Sequence, residues 1–506
     1  MLELIEDGIR AINNVVWGPP MLALLLLVGI YFTIRTRGLQ VRRFGGGVSR
    51  LLGFHKFKYA PKGGDVSSFG ALMTTLSSTI GTGNIGGVAI GLALGGPGAL
   101  FWMWITALVG MATSFAEASL AVHYREKDKD GRTVGGPMYY IKNGLGQKWV
   151  WLGVVFATFG IFAALGTGSY IQANSVAAAV KGSFNLGTMD AAQAKALGWQ
   201  IPIITGLLLA GGAAAVILGG IRWIAKVASI LVPFMAIGYF GGGIIIIALH
   251  IDQVPAVFGL IFRSAFGYEA AAGGFAGVAF WLAIKWGVAR GIFSNEAGQG
   301  SSPIAHAAAQ VDHPADQGLM AMIGIFIDTI VVCTVTGLVI LLMYWDSITG
   351  NCNSVAMLNA GGAIEGCLSD VRLTTWSFEQ AFTGGETFVT VALVVFAFTT
   401  ILGWSYYGER CAEFLFGEKI IVPFRVLWVL WTFFGAAILV VEDQGIKNIV
   451  TLVWLIGDTL TALMAAPNLI ALTMLSPIVL KIAKDYFSGK WDMADPQERD
   501  VPKPEY

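Results

Sequence analysis

A cluster of glycine and polar residues inside an apolar segment constrains the fold more than any other feature of the sequence. The segment extends over residues 66–94, and its centre, residues 75–88, reads TLSSTIGTGNIGGV. In hydrocarbon each unpaired N–H or C=O costs several kcal/mol, so an irregular backbone survives there only where it lines a cavity or is buried in protein. The cluster therefore predicts a transmembrane helix interrupted at residues 81–87, with a binding site at the interruption.

Two other interpretations of these glycines explain the pattern less well. Gly81, Gly83 and Gly86 spell G-x-G-x-x-G, but a dinucleotide-binding turn needs a preceding strand and an acidic residue about 20 positions further on. Both flanks are instead apolar, without a carboxylate at that distance. A helix-packing G-x-x-x-G face would account for Gly91 and Gly95. It does not account for the side-chain oxygens grouped at one depth, which belong to Ser77, Ser78, Thr79, Thr82 and Asn84.

The composition is that of an integral membrane protein. Of the 506 residues, 55% are hydrophobic and 13% are charged, with a mean hydropathy of +0.69, whereas soluble proteins carry about 25% charged residues. The net charge of zero gives nucleic-acid binding no electrostatic support. The sequence contains no H-E-x-x-H, G-x-S-x-G or ATP-binding G-x-x-x-x-G-K-[ST] motif. We therefore predict neither an enzyme nor an ATP-driven pump.

The distribution of Lys and Arg predicts the orientation in the membrane. A basic loop follows the first apolar run, residues 17–34, and a second basic loop covers residues 125–132. The positive-inside rule places both loops, and Lys481 and Lys484 near the C-terminus, in the cytoplasm. The acidic start of the chain argues against a cleavable signal peptide. We expect a multi-pass protein of a prokaryotic plasma (inner) membrane, with the N-terminus outside and the C-terminus cytoplasmic.

The apolar runs predict an all-α membrane protein with about eleven transmembrane helices. One extra N-terminal helix precedes ten spans, which divide into two sets of five with opposite orientations. The expected divisions are an N-terminal helix (1–35), a basic cytoplasmic loop (36–65), a first inverted repeat (66–250), an outer interfacial segment (251–272), a second inverted repeat (273–484) and a cytoplasmic tail (485–506). The last apolar run contains Pro467 and is either one kinked helix or a helix followed by an interfacial piece.

The second set of five opens with another apolar run that we predict to be interrupted, at Lys285-Trp286-Gly287 and Arg290-Gly291. Two interrupted helices in matching positions of inverted halves indicate the binding site of a secondary transporter. Bare helix N-termini favour an anion and freed carbonyls favour a cation. The arrangement therefore suits a zwitterion beside a cation, and we predict that Trp286 and Gly287 wall the pocket.

Four sequence blocks closely resemble one transporter family. They read GTGNIGG, GGPGALFWMWITALVG from Gly95, GVARGIFSNEAGQGSSPIA from Gly287 and FTTILGWSYYGE from Phe398. In that order they are similar to the alanine or glycine:cation symporter family, the sodium:alanine symporters, and the resemblance covers almost the whole chain. It implies the inverted-repeat fold of the bacterial leucine transporter, in the amino acid-polyamine-organocation superfamily. It also implies import of alanine or glycine with a sodium ion (Na⁺), without an obligate protein partner. Proton coupling, or serine or glutamine as substrate, stays an open alternative.

The resemblance also implies roles for individual residues. In the first interrupted helix, Gly81 to Asn84 would contact the substrate, with the N–H groups of Thr82 and Gly83 holding its carboxylate. Asn84 could ligate a second sodium ion or orient the broken backbone. The resemblance further implies one sodium site between two spans. Its oxygens would come from Ser77 and Ile80 near the break and from Thr399 and Thr400 in a later span.

A further block, GTGSYIQANS, matches the family pattern at Gly168 and Gln172, which we predict to contact the substrate. Ser169 replaces the usual Asn, and we expect this change to alter the pocket wall. In the SNEAG block, Gln299 stands where Met or Leu is common in the family. We expect that replacement to affect the cytoplasmic exit.

Charged residues at membrane depth are costly, about 2.5–3.5 kcal/mol on insertion scales, so each should be paired or face water. We expect Glu117 either to pair with a cation, with Arg290 as the candidate, or to cap unwound backbone. Proton relay by Asp328 or Asp458 is the alternative with a direct functional role. Cys352 and Cys367 share one loop and could form a disulfide if that loop faces an oxidising compartment.

Overall fold

The computed structural model describes residues 2–54, 63–184, 190–266, 276–349, 352, 367–442 and 447–489. The predicted tail beyond residue 489 and part of the predicted outer segment lie outside these residues. The described chain is almost entirely helical, as expected for an all-α membrane protein. Its strands are two residues each: β1 (Val66–Ser67), β2 (Glu126–Lys127), β3 (Thr133–Val134) and β4 (Ala309–Gln310).

The described residues of the first half of the chain form thirteen α-helices. They are α1 (Leu2–Val16), α2 (Pro19–Arg35), α3 (Leu39–Arg42), α4 (Phe44–Leu51), α5 (Ser68–Thr79), α6 (Val88–Gly95), α7 (Gly98–His123), α8 (Pro137–Tyr140), α9 (Val150–Ala163), α10 (Ile171–Gly182), α11 (Ala191–Ile217), α12 (Gly220–Leu249) and α13 (Val254–Ala265). Wider π-helical turns at Gly83–Gly87, Ile141–Leu145 and Ala164–Tyr170 and a 3₁₀ turn at Gln147–Trp149 connect some of them.

The described residues of the second half form ten more α-helices. They are α14 (Ala276–Asn295), α15 (Ser302–His306), α16 (Pro314–Ile325), α17 (Thr334–Thr349), α18 (Asp370–Ala381), α19 (Gly385–Phe416), α20 (Ile421–Ala437), α21 (Leu439–Glu442), α22 (Lys447–Met474) and α23 (Ser476–Ser488). A π-helical segment at Phe326–Cys333 joins α16 to α17, and a 3₁₀ turn at Glu418–Ile420 precedes α20. The last apolar run is therefore two helices, since α22 continues through Pro467 and α23 begins after Leu475.

Nine helical stretches of the described chain are long and apolar enough to cross a membrane. They are residues 6–35, 98–123, 147–182, 196–217, 220–249, 314–344, 385–416, 418–441 and 452–474. Their outward faces carry large apolar side chains such as Leu208, Phe234 and Val422, which are 71%, 75% and 64% exposed. A lipid environment accounts for that exposure, since a bilayer solvates apolar side chains.

The first predicted interruption is confirmed. Helix α5 ends at Thr79, Ile80 has an extended backbone (φ −76°, ψ 95°), and helical structure resumes through the π-helical turn Gly83–Gly87 into α6. All residues from Gly70 to Ala89 are buried. The broken backbone is therefore enclosed by protein, as irregular backbone in a membrane must be.

The second interruption lies elsewhere than predicted. Helix α14 is continuous from Ala276 to Asn295, so the prediction of a break at Lys285–Arg290 is wrong. The helix tolerates its charges because the Lys285 and Arg290 side chains lie over the Trp286 ring, 5.5 and 5.3 Å from its centroid. The chain breaks one turn later, between Asn295 and Ser302, where α15 begins.

A short parallel strand pair joins the two interrupted helices. Strand β1 directly precedes α5 and pairs with β4, which follows α15, through Val66–Ala309 and Ser67–Gln310. Helix α7 packs against α14 and α16, and α19 packs against α5 and α9. At another point of the fold, Cys352 and Cys367 form the disulfide that the sequence left open.

Candidate functional site

Both interruptions line one small cavity, the inner cavity, in the interior of the helix bundle. Its volume is about 10 Å³, close to the lower limit for a single water molecule. The residues that line it come from α5, the first break, the π-helical turn Ala164–Tyr170, α10, α14, the second break, α19 and α22. They are Ser78, Thr79, Gly81, Gly83, Thr167, Gln172, Phe293, Glu296, Gln299, Thr400, Trp404 and Thr461.

The first break is held by polar side chains close to it. Gly81 N–H donates to Asn84 Oδ1 at 2.9 Å, and Thr82 N–H donates to Gln172 Oε1 at 3.4 Å. Gly81 must lack a side chain, because a Cβ there would lie 2.5 Å from Thr400 Oγ1. The predicted substrate residues Gly81 to Asn84 and Gln172 thus lie together. The Gln172 amide oxygen accepts from the Thr82 N–H, where we predict that the substrate carboxylate binds.

A buried polar cluster connects the first break to the second. Asn84 Nδ2 donates to Ser294 Oγ at 2.9 Å and to Asp328 Oδ1 at 2.8 Å, and Ser294 Oγ donates to Asp328 Oδ2 at 2.8 Å. Asp328 also accepts from Thr329 Oγ1 at 2.7 Å. All four side chains are at most 1% exposed. Asn84 therefore accepts from the Gly81 N–H of the first break and links that break to α14 and Asp328, while its predicted contact with the substrate or a second sodium ion stays a prediction.

The second break is capped by side chains distant in sequence. Glu117 in α7 accepts from the N–H groups of Gly298 and Gly300, at 3.2 and 3.1 Å. Asn468 in α22 donates to Glu117 Oε1 at 2.6 Å and to the Gly298 carbonyl at 2.9 Å. Gly298 and Gly300 have φ of +83° and +84°, which favours glycine. Glu117 is thus a cap for unwound backbone rather than a partner of Arg290.

The four predicted sodium ligands are divided between two environments. Thr400 Oγ1 lines the inner cavity and lies 3.4 Å from the Ile80 carbonyl oxygen, which it contacts across the break. Ser77 Oγ donates to the Thr74 carbonyl at 2.7 Å and lies close to Gly403 of α19. Thr399 Oγ1 is 3.6 Å from Met235 Sδ, on the side of α12. The Thr400 hydroxyl and the Ile80 carbonyl therefore lie together at the break, whereas Thr399 faces away from them, and the sodium site stays a prediction.

Two further predicted site residues, Gly168 and Gly287, allow close packing between helices. A Cβ on Gly168 would lie 2.3 Å from Trp404 Cβ, so this glycine lets the Trp404 side chain reach the inner cavity. Gly287 similarly lets α7 approach, because its Cβ would lie 2.4 Å from the Ala99 carbonyl oxygen. The described residues that line the inner cavity do not include Trp286 or Gly287. Their predicted pocket role depended on a break that α14 does not have.

Ser169 does not point into the inner cavity. Its Oγ is 2.9 Å from Thr432 Oγ1 of α20, on the far side of the π-helical turn. The expectation that the change at Ser169 alters the pocket wall is therefore wrong. A π-helical turn shifts the face that each side chain occupies, and the sequence pattern does not reveal that shift.

Glu296, Trp404 and Phe293 also line the inner cavity, although the sequence patterns did not predict it. Trp404 Nε1 donates to Glu296 Oε1 at 2.9 Å, which links α19 to the second break. Glu296 and Trp404 lie within the SNEAG and FTTILGWSYYGE blocks, so the signal for both was present in the family motifs. The misplaced second break directed attention to Trp286 instead.

A larger vestibule lies beyond Phe293 and has a volume of about 300 Å³. Phe293 lines both the vestibule and the inner cavity, so its ring separates the two spaces. The exposed residues Arg372 and Glu386 lie at the vestibule's mouth, and Thr82 and Arg290 lie deeper. The vestibule therefore extends from exposed residues at one end of the bundle down to Phe293, which closes it off from the inner cavity.

Ion pairs and backbone contacts close the opposite end of the bundle. Arg125 Nη1 donates to the carbonyls of Ala307 and Ala309, at 3.1 and 2.6 Å, just after the second break. Burial lowers the pKa of the Arg125 guanidinium to about 10, and nearby Asp65 opposes that shift. Arg125 consequently remains charged at neutral pH. Arg50 pairs with Asp316 at 2.6 Å at the same end of α16.

Comparison with solved structures identifies the fold. The chain superposes on MhsT, solved in complex with L-phenylalanine, with a TM-score of 0.51 at 13% sequence identity. The match covers 84% of this chain and 99% of MhsT. At that identity the likeness establishes the fold alone. The fold, the long apolar helices and the two interrupted helices define a multi-pass helical membrane protein.

The sequence comparisons then identify the family. The profile of the "Sodium:alanine symporter family" matches residues 2–500, and the chain belongs to that family. It is 46% identical to the sodium/alanine symporter AgcS of Methanococcus maripaludis, over 94% of this chain and 96% of that protein. It is 35% identical to the "Probable sodium/glutamine symporter GlnT" of Bacillus subtilis, over 98% of this chain and 94% of that protein. The protein is a sodium-coupled amino-acid symporter.

Proposed function

We propose that the protein imports small neutral amino acids, alanine or glycine, together with Na⁺ by alternating access. The single observation that carries this proposal is the meeting of two interrupted helices at one buried cavity. The first break contributes backbone N–H groups that suit a carboxylate, and both breaks contribute oxygens that suit cations. The 46% identity to a protein named for alanine supports the same substrate class.

The size and lining of the inner cavity favour a small substrate. At about 10 Å³ the cavity is too small even for glycine, so binding has to displace side chains. Gln172 Oε1, which accepts from Thr82 N–H at 3.4 Å, is the group that a substrate carboxylate would replace. The rings of Phe293 and Trp404 limit the remaining space, which disfavours long side chains.

We assign Na⁺ to the oxygens at the junction of α5 and α19. The Ile80 carbonyl and the Thr400 hydroxyl, 3.4 Å apart, form the core of this site. Ser77 of α5 lies one turn before Ile80 and its hydroxyl donates to the Thr74 carbonyl, so a rotation of that hydroxyl would add a third hard oxygen ligand. Thr399 Oγ1 lies beside Met235 instead and is not assigned to the ion. An ion here would hold α5 against α19 and couple its binding to the shape of the break.

The proposed architecture adds the two interrupted helices to the nine uninterrupted stretches. Residues 68–95 and 276–306 would then be the first spans of two five-helix repeats behind one extra N-terminal helix. Five spans per repeat require opposite orientations in the membrane. The N-terminus would lie outside and the C-terminus in the cytoplasm of a prokaryotic plasma membrane, because the basic loops fall on one side.

In this orientation the vestibule opens outward and the end with Arg50 and Arg125 faces the cytoplasm. The cycle would begin with Na⁺ and the amino acid entering past Phe293. Closure of the vestibule would follow, and release would need the Arg125 contacts to Ala307 and Ala309 to separate. One helix bundle would rock against the rest around the fixed site.

One sodium ion supplies enough energy for useful accumulation. The membrane potential contributes about 2.3 kcal/mol per charge per 100 mV. A tenfold sodium gradient adds about 1.4 kcal/mol. Together these sustain an amino-acid concentration ratio of about five hundred, so a neutral substrate needs no ATP.

Uptake into proteoliposomes tests the proposal. We expect accumulation of labelled alanine under an inward sodium gradient and none under a proton gradient alone. Competition with unlabelled glycine, serine and glutamine ranks the substrates, and we expect glycine to compete best and glutamine to compete poorly. Uptake driven equally well without sodium would reject sodium coupling, and preferred glutamine would reject the substrate assignment.

A further inference from the structure

The second break places two hydrogen-bond acceptors against the inner cavity. Glu296 and Gln299 both line it and are 3% and 1% exposed. Glu296 has a positive φ of +57°, a conformation rare outside glycine. Such a backbone state persists only where the surroundings enforce it, often at functional sites.

The Glu296 carboxylate has only neutral hydrogen-bond donors as neighbours. Trp404 Nε1 donates to Oε1 at 2.9 Å, and the Ser301 hydroxyl donates to Oε2. Across the described residues, Glu296 forms no ion pair with a Lys, Arg or His. An ionised carboxylate offers about four acceptor positions, so about two remain open. An ionised buried carboxylate needs a compensating positive charge, and none contacts this one among the residues that the structure describes.

Gln299 offers a second open acceptor in the same place. Its Nε2 donates to the Ile292 carbonyl at 2.9 Å, which fixes the orientation of the amide. Its Oε1 is buried and has no hydrogen-bond partner in the described part of the chain. A buried acceptor without a donor is costly. The amide oxygen is therefore available to a donor that enters the cavity.

We propose that Glu296 and Gln299 form the subsite that binds the ammonium group of the transported amino acid. An ammonium group carries one positive charge and three donors and accepts no hydrogen bond, which matches the two carboxylate oxygens and the Gln299 amide oxygen. The first break presents N–H donors on the other side of the cavity. A zwitterion would bind with its carboxylate at the first break and its ammonium group at the second.

This subsite makes Gln299 a specificity-determining residue. N-methylation of the amino acid removes one N–H donor, so the Gln299 oxygen would face a methyl group instead of a proton. We therefore expect the protein to discriminate between glycine and N-methylglycine. The inference rests on the proposed function, because it concerns recognition of the same substrate at the same site.

The test measures sodium-driven uptake of glycine and N-methylglycine in proteoliposomes. In the unmodified protein we expect KM for N-methylglycine to exceed that for glycine by about tenfold, the penalty of one unpaired buried acceptor. In Gln299→Leu we expect a ratio of about one to three, because KM rises for glycine only. In Glu296→Gln we expect KM to rise at least about tenfold for both. Gln253→Leu and Glu6→Gln, at exposed or peripheral positions, are matched controls and should keep the unmodified ratio.

A second measurement separates an ammonium subsite from a metal site. Thermal unfolding of the purified protein is followed while sodium is titrated without amino acid. We expect Glu296→Gln and Gln299→Leu to keep the sodium-induced rise of the midpoint and to lose the additional rise with glycine. A lost response to sodium alone would assign these oxygens to the metal ion and overturn the proposal. The proposal would also be overturned if the ratio of KM for N-methylglycine to KM for glycine in Gln299→Leu lay within twofold of the ratio in the unmodified protein.

The outcomes also separate this inference from the proposed function. If the unmodified protein shows no sodium-driven uptake of either compound, the proposed function fails. If it transports glycine and both variants transport it with unchanged KM, only the ammonium subsite fails. Should Glu296→Gln not fold, Gln299→Leu decides the question alone, since leucine is close in size to glutamine and apolar.

Discussion

The two interrupted helices reach the same cavity by different means. In the first, Asn84 caps the N–H of Gly81, three residues away, and the break lies within a stretch of small polar residues. In the second, the N–H groups of Gly298 and Gly300 bind Glu117, whose position is 181 and 183 residues earlier. The Gly81 N–H of the first break is therefore satisfied locally, although Gln172 adds a distant contact to Thr82, whereas the Gly298 and Gly300 N–H groups of the second depend on packing between distant helices. We expect substitutions at the two breaks to differ accordingly in their effects on folding and on ion binding.

The largest effect should come from Glu117→Leu, which removes the acceptor for three buried donors. Each unpaired donor costs about 1–3 kcal/mol, so we expect the free energy of unfolding in detergent to fall by at least about 3 kcal/mol and uptake to be lost. Glu117→Gln keeps one acceptor oxygen and should lose less. Thermal unfolding in detergent measures the stability of the two variants, and uptake into proteoliposomes measures their transport. Unchanged stability of Glu117→Leu would mean that the second break is held locally, as the first is.

Gly81→Ala should damage the first break with less loss of stability. Its Cβ would lie 2.5 Å from Thr400 Oγ1, whereas a Cβ on Gly87, at the end of the π-helical turn that follows, meets no atom within 4 Å. Overpacking costs about 1–3 kcal/mol, so we expect uptake to fall about tenfold to hundredfold. Gly87→Ala is the matched control and should transport normally. Equal behaviour of the two variants would show that the close contact with Thr400 does not matter.

Asn84→Ala should affect both breaks, because Asn84 contacts Gly81 in one and Ser294 at the start of the other. We expect KM for alanine and for sodium to rise by about tenfold, as buried partners are left unpaired. Initial uptake rates over a range of both concentrations provide the measurement. Asn143→Ala removes a comparable amide at the other end of the bundle, where it binds the Tyr124 carbonyl at 3.1 Å. Asn143→Ala should leave the KM for sodium unchanged. A rise of this KM in Asn143→Ala would argue against a specific role of Asn84.

The smallest effect should separate two neighbouring hydroxyls. Thr400→Ala removes the oxygen 3.4 Å from the Ile80 carbonyl, and we expect it to raise the sodium concentration for half-maximal uptake by about tenfold. Thr399 lies beside Met235, so Thr399→Ala should raise it by less than about threefold. A sodium titration of uptake compares them. The reverse order would place the ion on the α12 side of α19.

Much of the fold could be predicted from residue patterns, and so could the cavity-lining residues Gly81, Gly83, Gln172 and Thr400. Apolar runs of sufficient length predict membrane spans, and the polar cluster at Gly81 marks its own break because the deviation from an apolar helix is local. The charges of Lys285 and Arg290 also deviate locally from an apolar helix, but the break that they predicted does not exist. They are tolerated inside a continuous helix because the Trp286 ring lies beneath both charges, a contact that only the folded helix provides.

The sequence by itself determined the membrane class, the family and the first break. Those properties depend on hydrophobicity, on motif blocks and on side chains that act within one helical turn. The tertiary structure decided where the second break lies and that Glu296, Gln299 and Trp404 line the cavity. Their placement follows from Glu117 and Asn468, which hold the second break from two other helices. Hydrogen bonds between residues so far apart in the chain leave no periodic or local pattern, so packing alone determines them.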